Sequence, residues 1–105
     1  MTEVKVGRVE DIPDGGMVQY DHDGECVLLC RKGAEVYAVE GICPHRGAQL
    51  AMGRLEDSTV VCPWHDWGFD VTSGCGVTNP VSQLRTYKVR IADGEVLLNL
   101  KSDDR

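Results

Sequence analysis

The sequence lacks the features that define several common protein classes. It has no apolar run long enough to span a membrane, and its first residues, Met1 to Lys5, do not form the apolar stretch of a signal peptide. Basic residues are too few to balance the acidic ones: 11 Lys and Arg against 17 Asp and Glu give a net charge of -6. An acidic chain is repelled by nucleic acid and by anionic membranes. We therefore expect neither partner, and we expect a cytoplasmic location.

Aromatic residues are scarce, and no long apolar pattern of helical period runs through the chain. Three of the aromatic residues, Trp64, Trp67 and Phe69, fall close together, while the two Trp, three Tyr and one Phe make up the whole aromatic content. The 12 Gly and 4 Pro divide the chain into short apolar runs. Short runs between turn residues are typical of strands. At 105 residues, the chain has the length of one domain.

Alternating apolar residues and turn signals predict antiparallel hairpins before residue 41 and after residue 80. Runs that start at Met17, Glu25 and Glu35 are separated by Gly-containing turns, and runs at 87–91 and 96–100 flank Asp93-Gly94. Asp-Gly favours the type I′ turn of a hairpin because both central residues of that turn have positive φ. The sequence therefore predicts an all-β fold.

Five cysteines and three histidines remain to be explained. An odd cysteine count without a secretory signal argues against a disulfide framework, so metal ligation is the next hypothesis. Two motifs lie in the middle of the chain, Cys43-Pro44-His45 and Cys62-Pro63-Trp64-His65. Zinc fingers usually group Cys with Cys and His with His. Mixed pairs suit a two-iron cluster in which one iron takes both thiolates and the other both imidazoles, although a structural zinc module stays open as an alternative.

These motifs and the residues that follow them resemble the Rieske family. The resemblance includes Arg46-Gly47 after the first motif, the run Phe-Asp-Val-Thr-Ser-Gly at 69–74, and an Asn-Pro-Val segment at 79–81 that is similar to the family's proline loop. It extends to the closing segments 84–89 and 93–96. Gly47 and Gly68, one after each motif, are expected to let backbone approach the cofactor.

The resemblance implies a fold and a domain plan. The fold is an antiparallel β sandwich base with an inserted cluster-binding subdomain. The base would comprise residues 1–40 and 81–100, the subdomain would comprise about 41–80, and a polar tail would follow at 101–105 of one Rieske domain over 1–105.

The resemblance also implies a cofactor, its ligands and a role. Cys43 and Cys62 would hold the inner iron of a [2Fe–2S] cluster, and His45 and His65 would hold the outer, more exposed iron. Such a chain carries one electron at a time from a ferredoxin reductase to the terminal oxygenase of an aromatic-ring-hydroxylating system, with no catalysis of its own. The small subunit of an NADH-dependent nitrite reductase is an alternative. The residues expected to surround the cluster or contact partners are Arg46, Gly47, Trp64, Trp67, Phe69 and Pro80.

The sequence departs from the high-potential Rieske proteins of cytochrome bc complexes. Those proteins join their cluster loops by a disulfide, whose cysteines would fall at Ala48 and Trp64 here. They also place Ser and Tyr hydroxyls near the cluster, at the positions of Trp67 and Phe69. Because hydrogen bonds to the cluster sulfurs raise the reduction potential, we expect a low potential in this chain.

The remaining candidates are expected to have structural roles. Cys26 and Cys30 share the strand parity of Leu28 and are predicted to be inert thiols, Cys75 is predicted to be a bystander, and His22 is predicted to lie in a solvated turn. Leu50 is expected to belong to an apolar rim around the exposed histidines. Residues 1–40 hold nine acidic and four basic residues, which form either a solvated surface or a docking face for a basic partner.

Overall fold

The computed structural model describes residues 3–22, 24–43, 47–63, 66–79 and 81–99. Over these residues the regular secondary structure is almost all antiparallel strand, as the sequence predicts. The strands are β1 (Glu3–Arg8), β2 (Met17–His22), β3 (Glu25–Lys32), β4 (Glu35–Glu40), β5 (Arg54–Glu56), β6 (Thr59–Val61), β7 (Gly68–Asp70), β8 (Thr86–Ala92) and β9 (Glu95–Asn99). Single 3₁₀ turns lie at Val9–Asp11 and Leu50–Met52. No helix in these ranges is long and apolar enough to cross a membrane.

The predicted hairpins form at their turn signals. Strands β8 and β9 are joined by Asp93 and Gly94, whose φ values of 53° and 78° are both positive, as a type I′ turn requires. Strands β3 and β4 meet at a turn in which Gly33 has a φ of 64°. Strands β2 and β3 pair up to His22 and Glu25, although Asp23 of their turn lies outside the described residues.

The base is one six-stranded sheet in the order β1-β9-β8-β4-β3-β2. Strands β4 and β8 share only two residue pairs, Ala38 with Tyr87 and Val39 with Thr86. Residues of β3 and β4 from one half of the sheet pack with residues of β8 and β9 from the other half into one core, as in a sandwich. That core, which we call the base core, consists of Ile12, Val27, Leu29, Val36, Ala38, Tyr87, Val96 and Leu98.

Strand β3 is buried on both faces. Successive side chains of a strand point to opposite sides, and here Val27 and Leu29 enter the base core while Leu28 and Cys30 enter a second core. The second core also contains three residues from the middle of the chain, namely Cys43, Cys62 and Phe69. The segment that carries the two Cys/His motifs therefore covers the outer face of the base sheet.

The second sheet is small and lies in the middle of the chain, in the order β5-β6-β7. Its register places Arg54, Val61 and Gly68 side by side at one end. Cys62 directly follows Val61, so the second motif begins where the central strand β6 ends. The boundaries that the sequence analysis gives to base, subdomain and tail stay predictions, and the tail at 101–105 lies outside the described residues.

Candidate metal centre

The first ligand loop starts at Cys43 and is closed by two backbone hydrogen bonds. The N–H of Cys43 donates to the carbonyl of Ala48 at 2.8 Å, and the N–H of Gly47 donates to the carbonyl of Cys43 at 2.7 Å. Just outside the loop, Ile42 and Gln49 form an isolated antiparallel bridge. The loop is therefore a tight hairpin with Cys43 at its base.

The second ligand loop starts at Cys62 and repeats this closure. The N–H of Cys62 donates to the carbonyl of Trp67 at 2.8 Å, and the N–H of Asp66 donates to the carbonyl of Cys62 at 3.1 Å. In both loops the cysteine N–H donates to the carbonyl of the residue five positions later, and the cysteine carbonyl accepts from the N–H of the residue four positions later. The two motifs, which differ in their Cys-to-His spacing, are thus mounted on loops with one backbone design.

The residue that closes each loop has a left-handed backbone. Gly47 has a φ of 74° and Asp66 has a φ of 56°. Gly68, the glycine that follows the second motif, does not take the place in its loop that Gly47 has in the first; Asp66 does. Gly68 instead begins β7, where it is buried and its N–H donates to the Thr78 hydroxyl at 2.9 Å. Asp66 can close the second loop because Asp tolerates positive φ better than most residues. The expected approach of Gly47 and Gly68 to the cofactor stays a prediction.

The two loop cysteines are both fully buried in the second core. Phe69, one of the residues expected around the cluster, is also 0% exposed in that core. Trp67 is half-buried and packs against the same residues. This arrangement gives two sulfur donors that are sheltered from water by apolar side chains. Gly47 of the first loop is exposed.

The other cysteines have surroundings that disfavour metal ligation. Burial raises the pKa of the Cys30 thiol to about 12. Burial, followed by a hydrogen bond with the Asp21 carboxylate, raises the pKa of Cys26 to about 11. A metal binds the thiolate, so these raised pKa values make both thiols poorer ligands. Cys43 and Cys62 are as buried as Cys30 but differ from it in opening the two closed loops. Cys75 is exposed, forms an isolated bridge with Gln83, and lies outside both loops that carry the Cys/His motifs.

Several predicted site residues lie outside the described residues, namely His45, Arg46, Trp64, His65 and Pro80. The complete ligand set therefore stays a prediction. For Leu50 the structure gives a correction. This side chain is fully buried in the second core and does not form an exposed rim, because the 3₁₀ turn that it begins points it inward. Met52, two residues later on the same turn, is 73% exposed instead.

The described residues fit a two-iron cluster with mixed ligands. Each of the two loops opens on a buried thiol, and the sequence has a histidine two residues after Cys43 and three residues after Cys62. Sulfur and imidazole are the donors that such a cluster uses. Within the ranges that the structure describes, no group of three or more His, Cys, Asp or Glu side chains is arranged to hold a different metal. No disulfide occupies any of the five cysteines, all of which are described.

An all-β sandwich that covers one face with two matched Cys/His loops defines a class of small iron–sulfur proteins. The profile of the Rieske [2Fe-2S] domain family matches residues 2–88, and the chain belongs to this family. Membership implies a Rieske [2Fe–2S] cluster.

Similar proteins extend over nearly the whole chain. The ferredoxin component of the naphthalene 1,2-dioxygenase/salicylate 5-hydroxylase systems of a Ralstonia species is 32% identical over 94 residues, which are 89% of this chain and 90% of that protein. The ferredoxin of carbazole 1,9a-dioxygenase from Nocardioides aromaticivorans is 33% identical, with a TM-score of 0.90 over 96% of this chain and 100% of that one.

Two further solved structures are similar to this chain. A chain in a complex of reduced oxygenase and oxidized ferredoxin of carbazole 1,9a-dioxygenase is 28% identical, with a TM-score of 0.88 over 93% of both chains. A chain described as an NADH-dependent nitrite reductase small subunit from Mycobacterium tuberculosis has a TM-score of 0.83 over 91% of this chain and 92% of that one, at 22% identity. The second likeness shows a shared fold alone.

Proposed function

We propose that this chain is a Rieske ferredoxin that passes single electrons to the terminal oxygenase of an aromatic-ring-hydroxylating dioxygenase system. It acts as the electron-transfer component, and the oxygenase is the catalyst. The observation that carries the proposal is the pair of matched loops, each opening on a fully buried cysteine, in a chain whose relatives are ferredoxin components over nearly their whole length.

The proposed ligands are Cys43 and Cys62 for the inner iron and His45 and His65 for the outer iron. When bound, the cluster supplies a centre that accepts and releases one electron. The chain contributes rigidity, because each loop is locked at its base by two backbone hydrogen bonds. It also contributes a dry setting on the cysteine side, where Phe69 and the rest of the second core exclude water.

We propose that the oxygenase docks beside the ligand loops. The three most exposed large apolar side chains of the described residues, Met52, Val77 and Val81, all lie between residues 50 and 82. Val77 contacts the three-stranded sheet, because its N–H donates a hydrogen bond to the Gly68 carbonyl at 2.8 Å. Met52 precedes Gly53, whose backbone lies so close to the second loop that a Cβ added there would be 3.2 Å from the Pro63 side chain. Exposed apolar side chains near a functional site are typical of protein contacts.

In this proposal the electron comes from a ferredoxin reductase, which would dock on the same exposed apolar side chains as the oxygenase. The net charge of -6 would steer the chain toward basic partner surfaces. The proposed location is the cytoplasm, where thiols stay reduced. The exposed Cys75 and the absence of any disulfide among the five cysteines support that location.

Electron delivery to an oxygenase should therefore be fast at low salt and slow at high salt. The experiment mixes the reduced chain in a stopped-flow instrument with the terminal oxygenase of the same organism and follows reoxidation of the chain. We expect the second-order rate constant to fall about tenfold between low and high ionic strength, since salt screens charged encounters. A rate that does not change with salt would contradict steering by the acidic surface.

The nitrite reductase alternative is tested in the same instrument. The matched arm replaces the oxygenase by the nitrite reductase large chain of that organism. The proposal predicts reoxidation with the oxygenase alone. Reoxidation with the nitrite reductase alone would overturn the assignment of partner while leaving the electron-carrier role intact.

A further inference from the structure

The two ligand loops differ at the residue that closes them. The first uses Gly47, which adopts positive φ without cost, whereas the second uses Asp66 at a φ of 56°. A side chain with a Cβ is disfavoured in this region, even though Asp tolerates it better than most residues. Glycine would serve the backbone at least as well, as the first loop demonstrates. Asp57 and Asp93 also have positive φ, so the backbone alone gives Asp66 no special role, and any role comes from the contacts of its carboxylate.

This carboxylate faces a positive charge from the neighbouring sheet. An Arg54 guanidinium nitrogen, Nη1, lies 3.6 Å from Asp66 Oδ1. Arg54 starts β5 and pairs with Val61, the residue before Cys62, so it stands at the base of the second loop. On its other side the Arg54 Nε donates a hydrogen bond to Glu56, which orients the guanidinium. One cation thus sits between two carboxylates.

We propose that Arg54 and Asp66 tune the reduction potential of the cluster, with Arg54 also positioning the second ligand loop through Asp66. The proposal rests on the proposed ligand role of Cys62 and His65. Asp66 directly follows His65 in the sequence. A negative charge at that place opposes the arrival of an electron, and the guanidinium offsets that opposition.

The exposure of the pair sets the size of the effect. The Arg54 and Asp66 side chains are 56% and 74% exposed. Charges in such positions interact through water and are screened by salt, so each should change the equilibrium constant for reduction by only about two- to fivefold. A fivefold change corresponds to about 40 mV for a one-electron couple, since tenfold is about 59 mV.

The test measures midpoint potentials of the cluster-loaded protein by following absorbance during a redox titration at low salt. We expect Arg54→Gln to lower the potential and Asp66→Asn to raise it. Asp66→Gly should raise it equally, because the first loop is closed by glycine and the backbone should be kept. The potential of the double variant with both Arg54→Gln and Asp66→Asn should lie closer to the wild-type potential than that of either single variant. Arg54→Lys keeps the positive charge and should have nearly the wild-type potential.

A matched control is available in the base. Arg90 is 59% exposed and contacts the Glu3 carboxylate at 2.8 Å, but it lies on β8. Arg90→Gln should leave the potential unchanged. High salt should shrink the shifts at Arg54 and Asp66, as it would for a charge effect but not for a distorted ligand loop.

A second readout tests positioning. Arg54→Gln should bleach about two- to fivefold faster than the wild type when a chelator is added, because Asp66 loses its anchor. Shifts of the same sign at Arg54 and Asp66, or no shift at either, would overturn the charge proposal. Bleaching at the wild-type rate would overturn the positioning proposal. If the wild type itself binds no iron and sulfide, the proposed function fails instead, so the two failures are distinguishable.

Discussion

Replacing Cys62 by alanine is expected to yield a protein with essentially no visible absorption and no bound iron. Cys62 is fully buried, and both its N–H and its carbonyl make the backbone hydrogen bonds that close its loop. Removing the sulfur deletes one of the four proposed ligands at a point where no other described thiol lies in the same loop. Cys43→Ala should have the same effect, since its loop has the same design.

The measurement is iron content together with the visible spectrum of protein purified without air. Cys30→Ala is the matched control, because Cys30 is 1% exposed and belongs to the same core as Cys43 and Cys62. It makes the same truncation in the same core and should keep the cluster. Cys26→Ser should keep it as well. Loss of iron in either control, with iron retained in Cys62→Ala, would show that the thiols have been assigned wrongly.

The midpoint potential is expected near the low end of the Rieske range, roughly -150 mV against about +300 mV at the high end. High potentials in the family accompany hydroxyl donors near the cluster. At the matching positions this chain has Trp67 and Phe69, neither of which carries a hydroxyl. Phe69 is fully buried beside both loop cysteines, so nothing polar from it reaches that region. Fewer hydrogen bonds to sulfur leave the reduced state less stabilised.

A redox titration of the wild type and of Phe69→Tyr tests this expectation. The new hydroxyl should raise the potential if it reaches the cluster, whereas Tyr20→Phe, which removes a hydroxyl next to the base core, should not change it. A strongly positive potential in the wild type would contradict the account of Trp67 and Phe69.

The base of the fold could be predicted because its strands are long and carry local signals. Strands β8 and β9 alternate over several residues and meet at Asp93-Gly94, where the type I′ turn forms. Strands β5, β6 and β7 have three residues each, which is too short for an alternating pattern to stand out. Strand β1 also escaped the sequence analysis, because Gly7 interrupts its apolar residues at an irregularity in the pairing with β9.

The cofactor could be predicted from residue types, since mixed Cys/His motifs favour a Rieske cluster over a zinc module and the family match implies that cluster. The backbone of the candidate site could not be predicted. The matching closure of the two loops depends on φ at Gly47 and Asp66, which tertiary structure decides. The burial of Leu50 likewise follows from the direction of a single 3₁₀ turn that the sequence does not mark. The Arg54–Asp66 contact joins residues brought together only by the register of β5 with β6.

The most direct test of the central claim is a reductive titration of the protein purified without air, combined with analysis for iron, acid-labile sulfide and zinc. The account predicts about two irons, about two sulfides and about one electron accepted per chain, as a [2Fe–2S] cluster requires. A colourless protein that contains zinc, lacks sulfide and accepts no electron would contradict it and would identify a structural zinc module.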